Sequence, residues 1–172
     1  MKKVLFTCIL DDYDTIADPL VVSEGWDYVC FTDNPDFKSS VWETRLVDRK
    51  YGDAKRDVCN IKINCFDVLP EYDYSFWCDG NMVNSQDLNV FFEAQHRPYD
   101  TLTTILHPER SCTYQEAEAV LKWGFDSQEV VERVVDRYRE VKFPEDKGMA
   151  TTSLMIRKNS ININEFNKAW WN

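Results

Sequence analysis

The chain has little glycine and proline, and it has no apolar run long enough to cross a membrane. Five glycines and six prolines among 172 residues argue against a linker-rich or disordered chain. The apolar run after Lys2 stops at Asp11, so it is too short for a signal peptide or a membrane span. With 44% apolar residues, this length predicts a single domain covering residues 1–172.

Positive charge is also scarce. The chain carries 20 Lys and Arg residues against 30 Asp and Glu residues, which gives a net charge of −10. Nucleic acids and anionic membranes are bound through clustered Lys and Arg side chains, so we expect no nucleic-acid partner. A substrate that carries phosphate would need a locally basic pocket.

The cysteines do not form a metal or disulfide pattern. None of the six belongs to a CxxC pair, and most lie among Val, Ile, Phe or Trp. A free cysteine in such a setting behaves as a small hydrophobic residue. We therefore expect a reducing, cytoplasmic location with neither a zinc site nor a disulfide framework. The six residues are Cys8, Cys30, Cys59, Cys65, Cys78 and Cys112.

Hydrophobic patterning predicts strands that alternate with helices. Continuous apolar runs predict buried strands, and apolar residues at three- and four-residue steps predict helices. The predicted strands cover residues 3–9, 27–32, 41–47, 73–78, 101–106 and 151–156. The predicted helices cover residues 53–69, 87–94, 114–123, 128–141 and 164–171. This order indicates a Rossmann-like α/β fold, with a central mixed, mostly parallel sheet flanked by helices.

Polar side chains follow the predicted strands at the points where these strands end. In a mostly parallel sheet the carboxyl ends of the strands meet at one edge, which is where such folds bind ligands. Scattered surface charges would not usually produce this pattern. The residues concerned are Asp11, Asp12, Tyr13, Asp33, Asp79, Asn81 and His107.

Residues 72–81 form the most informative segment. They read as a buried strand that ends in Asp79, Gly80 and Asn81. Carboxylate and amide oxygens at a strand end suit a hard divalent cation, Mn²⁺ or Mg²⁺. The spacing is that of the DxD-like motif by which many sugar transferases bind a metal and a nucleotide-sugar diphosphate. The same residues are preferred in turns, so a plain turn is the alternative interpretation.

Five segments, in order along the chain, resemble one protein family. They cover residues 7–14, 30–33, 72–81, 107–117 and 152–157. The chain resembles the glycosyltransferase-like family that includes plant mucilage and pollen proteins and bacterial and viral relatives. The resemblance implies a GT-A fold with a nucleotide-binding half (about residues 1–82) and an acceptor-facing half (about residues 83–172). It also implies a metal-dependent glycosyltransferase that moves a sugar from a nucleotide-sugar, a UDP-sugar by analogy, to a hydroxyl of a glycan or glycoprotein.

Several residues are candidates for the donor site. Thr7 and Tyr13 can flank the base, and Asp33 can accept a hydrogen bond from the base or ribose. Thr7 and Asp33 also have structural alternatives, since Thr7 suits a core strand and Asp33 a helix or turn cap. Arg56 and Lys62 form a plausible diphosphate clamp or simply a solvated helix face. Asp11 and His107 complete the set, although His107 also suits a structural role before Pro108.

Two positions differ from the family pattern. Asn81 stands where a second carboxylate would bind the metal, so the ion would receive one formal charge fewer. Family members also commonly carry an arginine three residues before the helix lysine, where this chain has Cys59. Arg56 lies one turn earlier and can substitute on the same face.

The catalytic base is not determined by the sequence. An inverting reaction needs a carboxylate within hydrogen-bond reach of the acceptor hydroxyl, and Glu116, Glu145 and Asp146 are the candidates. A retaining reaction needs no such base. A phosphotransferase is disfavoured because Trp77 stands where the aspartyl nucleophile would be. A nucleotide- or carbohydrate-binding module that has lost turnover is the non-enzymatic alternative.

Overall fold

A six-stranded sheet forms the centre of the computed structural model, which describes residues 1–97 and 99–172. The strands are β1 (Lys3–Ile9), β2 (Trp26–Thr32), β3 (Glu43–Leu46), β4 (Tyr74–Cys78), β5 (Leu102–Leu106) and β6 (Ala150–Lys158). Their order is β3-β2-β1-β4-β6-β5. The pairs β1–β2, β1–β4 and β2–β3 are parallel, and β4–β6 is antiparallel. The predicted Rossmann-like α/β architecture is confirmed.

Six helices are found in the described part of the chain. They are α1 (Ala54–Ile63), α2 (Cys65–Val68), α3 (Leu88–Gln95), α4 (Thr113–Lys122), α5 (Gln128–Glu140) and α6 (Ile161–Trp171). The side chain of Asp53 accepts a hydrogen bond from the Arg56 backbone N–H and so caps α1. Asp87 and Ser160 cap α3 and α6 in the same way. The single helix predicted for residues 53–69 is wrong, because Asn64 leaves helical geometry and separates α1 from α2.

The central strand β1 is buried on both faces. Phe6 packs edge-on against Trp77 of β4 on one face, with ring centroids 5.2 Å apart. Leu5 packs on the other face in a cluster that includes Trp26 and Phe76. Because a strand covered on both sides is apolar at nearly every position, the near-continuous apolar run, interrupted by Thr7, predicted this placement correctly.

Arg157 of β6 is a fully buried cation in the core. Its Nη1 donates to the backbone carbonyl of Lys62 at 2.5 Å and lies 3.2 Å from the Cys65 sulfur. The carbonyl groups in the last turn of a helix carry partial negative charge, which favours a cation there. Arg157 therefore ties β6 to the end of α1, where the helical hydrogen-bond ladder is interrupted.

The chain divides into two compact units. The sheet unit comprises Met1–Thr104 and Ser153–Asn172, and it contains β1–β4 with α1, α2, α3 and α6. The helical unit comprises Ile105–Thr152 and contains α4 and α5, with Cys112 and Val131 buried inside it. The expectation of one domain with halves that meet near residue 82 stays a prediction.

All six cysteines are free. Burial raises the pKa of the Cys30 and Cys78 thiols to about 12, which keeps both protonated at neutral pH. They pack as small apolar side chains, in agreement with the sequence pattern. Within the described residues, no helix is long and apolar enough to cross a membrane.

We expect Arg157→Ala to lower the free energy of unfolding by about 3 kcal/mol, because it leaves a cavity and removes a donor from the Lys62 carbonyl. Urea denaturation measures this change. Arg133→Ala removes an exposed arginine from α5 and serves as the control, with an expected change within about 0.5 kcal/mol. Equal stability of the two variants would show that the buried cation contributes nothing.

Candidate functional site

The carboxyl ends of β1 and β2 bring two predicted site residues together. These strands are parallel neighbours; Asp11 lies two residues after the end of β1, and Asp33 directly follows β2. The backbone N–H of Asp11 donates to both carboxylate oxygens of Asp33, at 3.1 and 3.3 Å. The predicted convergence of polar residues at this edge is therefore present for the first two strands.

The loop after β1 turns tightly and presents Tyr13 to solvent. Asp11 and Asp12 both adopt the left-handed conformation, with φ of 55° and 49°. Aspartate tolerates this region better than most residues that carry a Cβ. The Asp12 carboxylate accepts a hydrogen bond from the Asn34 side chain at 2.9 Å, which joins this loop to the one after β2. Tyr13 is 86% exposed, so its ring is free to contact a ligand.

Arg49 also lies at this edge of the sheet, although the sequence analysis did not identify it as a candidate. Its Nη1 forms ion pairs with Asp11 and, at 3.3 Å, with Asp33. Its Nε contacts Asp57 of α1 at 3.3 Å. The signal that could have identified it is its position just after the predicted third strand, at the same edge as the other strand ends.

Asp57 holds the segment that carries Arg49. Its side chain is only 4% exposed, and Oδ1 accepts the backbone N–H groups of Lys50 and Tyr51 at 2.9 and 3.0 Å. A buried carboxylate is stable only when hydrogen bonds and a counter-charge replace its hydration. Here the two backbone donors and Arg49 supply both, which fixes the 49–51 segment against α1.

The structure separates Arg56 from Lys62. The guanidinium of Arg56 lies 4.7 Å from the ring centroid of Tyr51 and 5.8 Å from that of Trp171. These are cation–π distances, and the two rings lie 5.3 Å apart. Arg56 thus belongs to an aromatic cluster at the start of α1 and the end of α6. Lys62 lies on the last turn of α1 and points to the end of β4.

Asp79, the predicted metal ligand, is held by two donors. Its Oδ1 accepts the indole N–H of Trp77 at 2.8 Å and the Lys62 ammonium at 3.0 Å. The Lys62 Nζ also lies 5.1 Å from the Trp77 ring centroid. Oδ2 accepts no hydrogen bond from the part of the chain that the structure describes. The carboxylate therefore has one oxygen engaged and one available.

Asp79, Gly80 and Asn81 also form a turn. The Met82 backbone N–H donates to the Asp79 carbonyl at 3.0 Å, which is the hydrogen bond of a β-turn. Asn81 lies exposed at its tip. The turn and the candidate metal site are compatible, because the hydrogen bond of the turn uses backbone atoms only.

Gly80 allows the loop after β1 to approach this turn closely. A Cβ at Gly80 would lie 3.1 Å from Ile9 Cγ1 and 3.3 Å from Asp14 Oδ2. Both distances are shorter than ordinary contacts, so a side chain at this position would displace its neighbours. The close packing places the Asp14 carboxylate beside the Asp79–Asn81 turn.

The donor set fits a cation that a phosphate ligand completes. Among residues 1–97 and 99–172, no three His, Cys, Asp or Glu side chains are grouped to hold a metal ion. Mg²⁺ is commonly bound by one or two carboxylates together with substrate phosphates and water. Asp79 with its available Oδ2, and Asn81 beside it, match that requirement.

Thr7 lies in the core rather than on a ligand-facing surface. Its side chain is fully buried in β1, and its hydroxyl has no hydrogen-bond partner among the described residues. This placement agrees with the alternative interpretation of Thr7 as a core strand residue.

His107 lies in the helical unit with its ring engaged by its own loop. Nδ1 accepts the backbone N–H groups of Glu109 and Arg110 at 3.1 and 3.0 Å. Nε2 lies 2.7 Å from the Arg110 guanidinium, which also forms an ion pair with Glu116. The candidate base Glu116 is thus tied to a cation at the start of α4.

The other two candidate bases follow α5 in the helical unit. Asp146 adopts the left-handed conformation, with φ of 52°, and accepts the Ser111 hydroxyl at 3.0 Å. Glu145 beside it is exposed. It makes no hydrogen bond or ion pair with the described residues, so its carboxylate is the most accessible of the three.

Comparison with known proteins supports the family resemblance. Among curated proteins, no sequence matches the chain significantly. The family of the TOD1/MUCI70 glycosyltransferase-like domain matches residues 33–172, which include Asp33, Arg49, Lys62, Asp79 and the whole helical unit. The match covers most of the chain. The protein therefore belongs to the TOD1/MUCI70 glycosyltransferase-like family.

Proposed function

We propose that the protein is a metal-dependent glycosyltransferase that moves a sugar from a nucleotide-sugar to a hydroxyl of a glycan or glycoprotein. The observation that carries the proposal is the position of Asp79. It directly follows β4, which pairs in parallel with β1, it has one available oxygen, and it lies beside the Lys62 cation and the turn at Gly80. A UDP-sugar is the proposed donor, by analogy with the family.

The chemistry requires neutralisation of a departing nucleoside diphosphate. Mn²⁺ or Mg²⁺, when bound, supplies Lewis-acid stabilisation of the charge that grows on the phosphates. Asp79 and Asn81 would hold the ion. Lys62 adds a positive charge within reach of the same phosphates, and Trp77 fixes the orientation of the Asp79 carboxylate through its N–H group.

The nucleoside would lie at the ends of β1 and β2. Asp33 would accept a hydrogen bond from the base or ribose there, and the exposed Tyr13 ring would stack on the base. Arg49 keeps Asp11 and Asp33 in position although both carry negative charge. This part of the site would fix the orientation of the donor.

A base for the acceptor hydroxyl is needed if the reaction inverts the anomeric configuration. Glu116, Glu145 and Asp146 are the candidates, and Glu145 has the carboxylate least occupied by neighbours. Replacement of each by the corresponding amide, followed by transfer assays, identifies the base.

A non-catalytic nucleotide-binding module is the second candidate function. It is favoured by Asn81, which adds no second negative charge, and by the existing ion pair between Lys62 and Asp79. Such a module would bind UDP with Mn²⁺ but would not hydrolyse a UDP-sugar. Slow hydrolysis of the donor therefore separates the two functions.

We expect Asp79→Asn to abolish the enhancement of UDP binding by Mn²⁺, because the amide keeps the bond from Trp77 and loses the charge that attracts the ion. The loss should be at least about tenfold in affinity, or ~1.4 kcal/mol. Isothermal titration of UDP and GDP, with and without Mn²⁺, measures it. Asp136→Asn on the exposed surface of α5 is the control. Metal enhancement that survives in Asp79→Asn would place the ion elsewhere.

We expect Arg49→Met to weaken UDP binding about tenfold or more and to lower the melting temperature, because three carboxylates would lose their shared cation. Arg45→Met is the matched control. Arg45 is likewise paired with more than one carboxylate, namely Glu43 and Glu71. Its side chain is 26% exposed, and that of Arg49 is 27% exposed. The same loss of UDP affinity in both variants would contradict a specific role for Arg49 in the site.

A further inference from the structure

The Lys62 ammonium lies where it competes with a metal ion for Asp79. It contacts Oδ1 at 3.0 Å, and the lysine side chain is 14% exposed while that of Asp79 is 39% exposed. A pair partly shielded from water interacts more strongly than a fully exposed pair and is less screened by salt. Lys62 therefore neutralises the one carboxylate that the Asp79–Asn81 turn contributes.

We propose that Lys62 is an exchangeable counter-cation, which occupies Asp79 in the ligand-free protein and transfers to the diphosphate when the donor binds. This inference rests on the proposed function, because it assumes that Asp79 binds the metal and that the diphosphate lies beside it. Beyond the proposed function, Lys62 has two alternative partners, Asp79 and the diphosphate. Tight metal binding then requires that Lys62 leaves Asp79.

Charge repulsion is the reason that exchange is required. A divalent cation on the Asp79 carboxylate would lie within a few ångströms of the ammonium that contacts the same group, and like charges at that distance repel strongly. The Trp77 indole N–H carries no net charge, so it can stay on Oδ1 while the ion binds. Of the two donors to Asp79, only Lys62 has to move.

The Lys62 side chain can move without a change in the position of its backbone. Its ammonium ends a flexible four-carbon stem, and its three N–H donors can take new acceptors without a fixed geometry. The backbone of Lys62 is anchored separately, because its carbonyl accepts a hydrogen bond from the buried Arg157. The side chain can therefore change partner while α1 keeps its position.

A diphosphate supplies the driving force. It offers several negatively charged oxygens to the ammonium in exchange for the single carboxylate that the ammonium leaves. Once Lys62 has moved, the ammonium no longer offsets the negative charge of Asp79, and this charge attracts the metal. Donor and metal then strengthen each other's binding, and by linkage each raises the affinity of the other by the same factor.

The variant Lys62→Met tests the exchange, because methionine keeps an unbranched apolar stem and removes the ammonium. We expect Mn²⁺ alone to bind Lys62→Met about tenfold more tightly than the unchanged protein, since the competing cation is gone. We expect UDP without metal to bind the variant about tenfold more weakly, since the diphosphate loses a cation. Isothermal titration measures both affinities, and binding of Mn²⁺ is confirmed by the loss of its free-ion electron paramagnetic resonance signal.

Two controls accompany this experiment. Lys38→Met removes an exposed lysine that follows β2, so it changes the net charge equally without touching Asp79. The double variant Asp79→Asn with Lys62→Met should not show the increased Mn²⁺ affinity of Lys62→Met. That result would place the ion at Asp79. Circular dichroism and melting curves establish that each variant is folded, and Lys62→Gln replaces Lys62→Met if the latter is not.

In Lys62→Met, the exchange predicts that the affinity for Mn²⁺ rises while the affinity for UDP falls. These opposite changes distinguish the exchange from a structural role of Lys62. If Lys62 only supported the fold, its removal would weaken Mn²⁺ and UDP binding together, and the inference would be overturned. Unchanged Mn²⁺ affinity in Lys62→Met would overturn it as well. Failure of the proposed function looks different, because the unchanged protein would then bind neither UDP nor GDP in the presence of Mn²⁺.

Discussion

The ion pairs of Arg49 with Asp11, Asp33 and Asp57 hold together the edge of the sheet on which the candidate site is built. One guanidinium joins the loop after β1, the end of β2 and the first turn of α1. In a chain with a net charge of −10, three carboxylates this close would otherwise repel one another. Asp57 completes the arrangement by fixing the backbone of residues 50 and 51.

The same principle recurs at the end of β4, where Lys62 neutralises Asp79. Arg49 and Lys62 are thus both paired with carboxylates at this edge, and an anionic ligand would compete with those carboxylates for either cation. Under the proposed function, the affinity for the donor depends on a difference in free energy. This is the difference between the ion pairs that form with the diphosphate and the ion pairs within the protein that break. In this proposal, a divalent cation that replaces Lys62 on Asp79 would make that difference favourable, and this would explain why an acidic protein needs a metal to bind the donor.

The sequence predicts the fold correctly where an element is determined by residues that are close together in the sequence. The near-continuous apolar run of β1 and the turn residues after β4 predicted both strands correctly, because strand patterning and turn chemistry act over a few residues. The break at Asn64 is not predicted because the apolar spacing that indicates a helix continues across it, through Ile61, Cys65 and Val68. Arg49 is not predicted because its three carboxylate partners lie on separate elements, which the sequence does not show to be close. Long side chains such as Arg56 choose their partners only after the elements have packed.

The most direct test of the proposed site is a crystal structure grown with UDP and Mn²⁺, in which anomalous scattering locates the ion. We expect the manganese peak within about 2.2 Å of an Asp79 carboxylate oxygen and of the diphosphate, with the Lys62 ammonium on a phosphate oxygen. A peak bound by other residues, with the 3.0 Å contact between Lys62 and Asp79 still present, would contradict the assignment of Asp79 as the metal ligand.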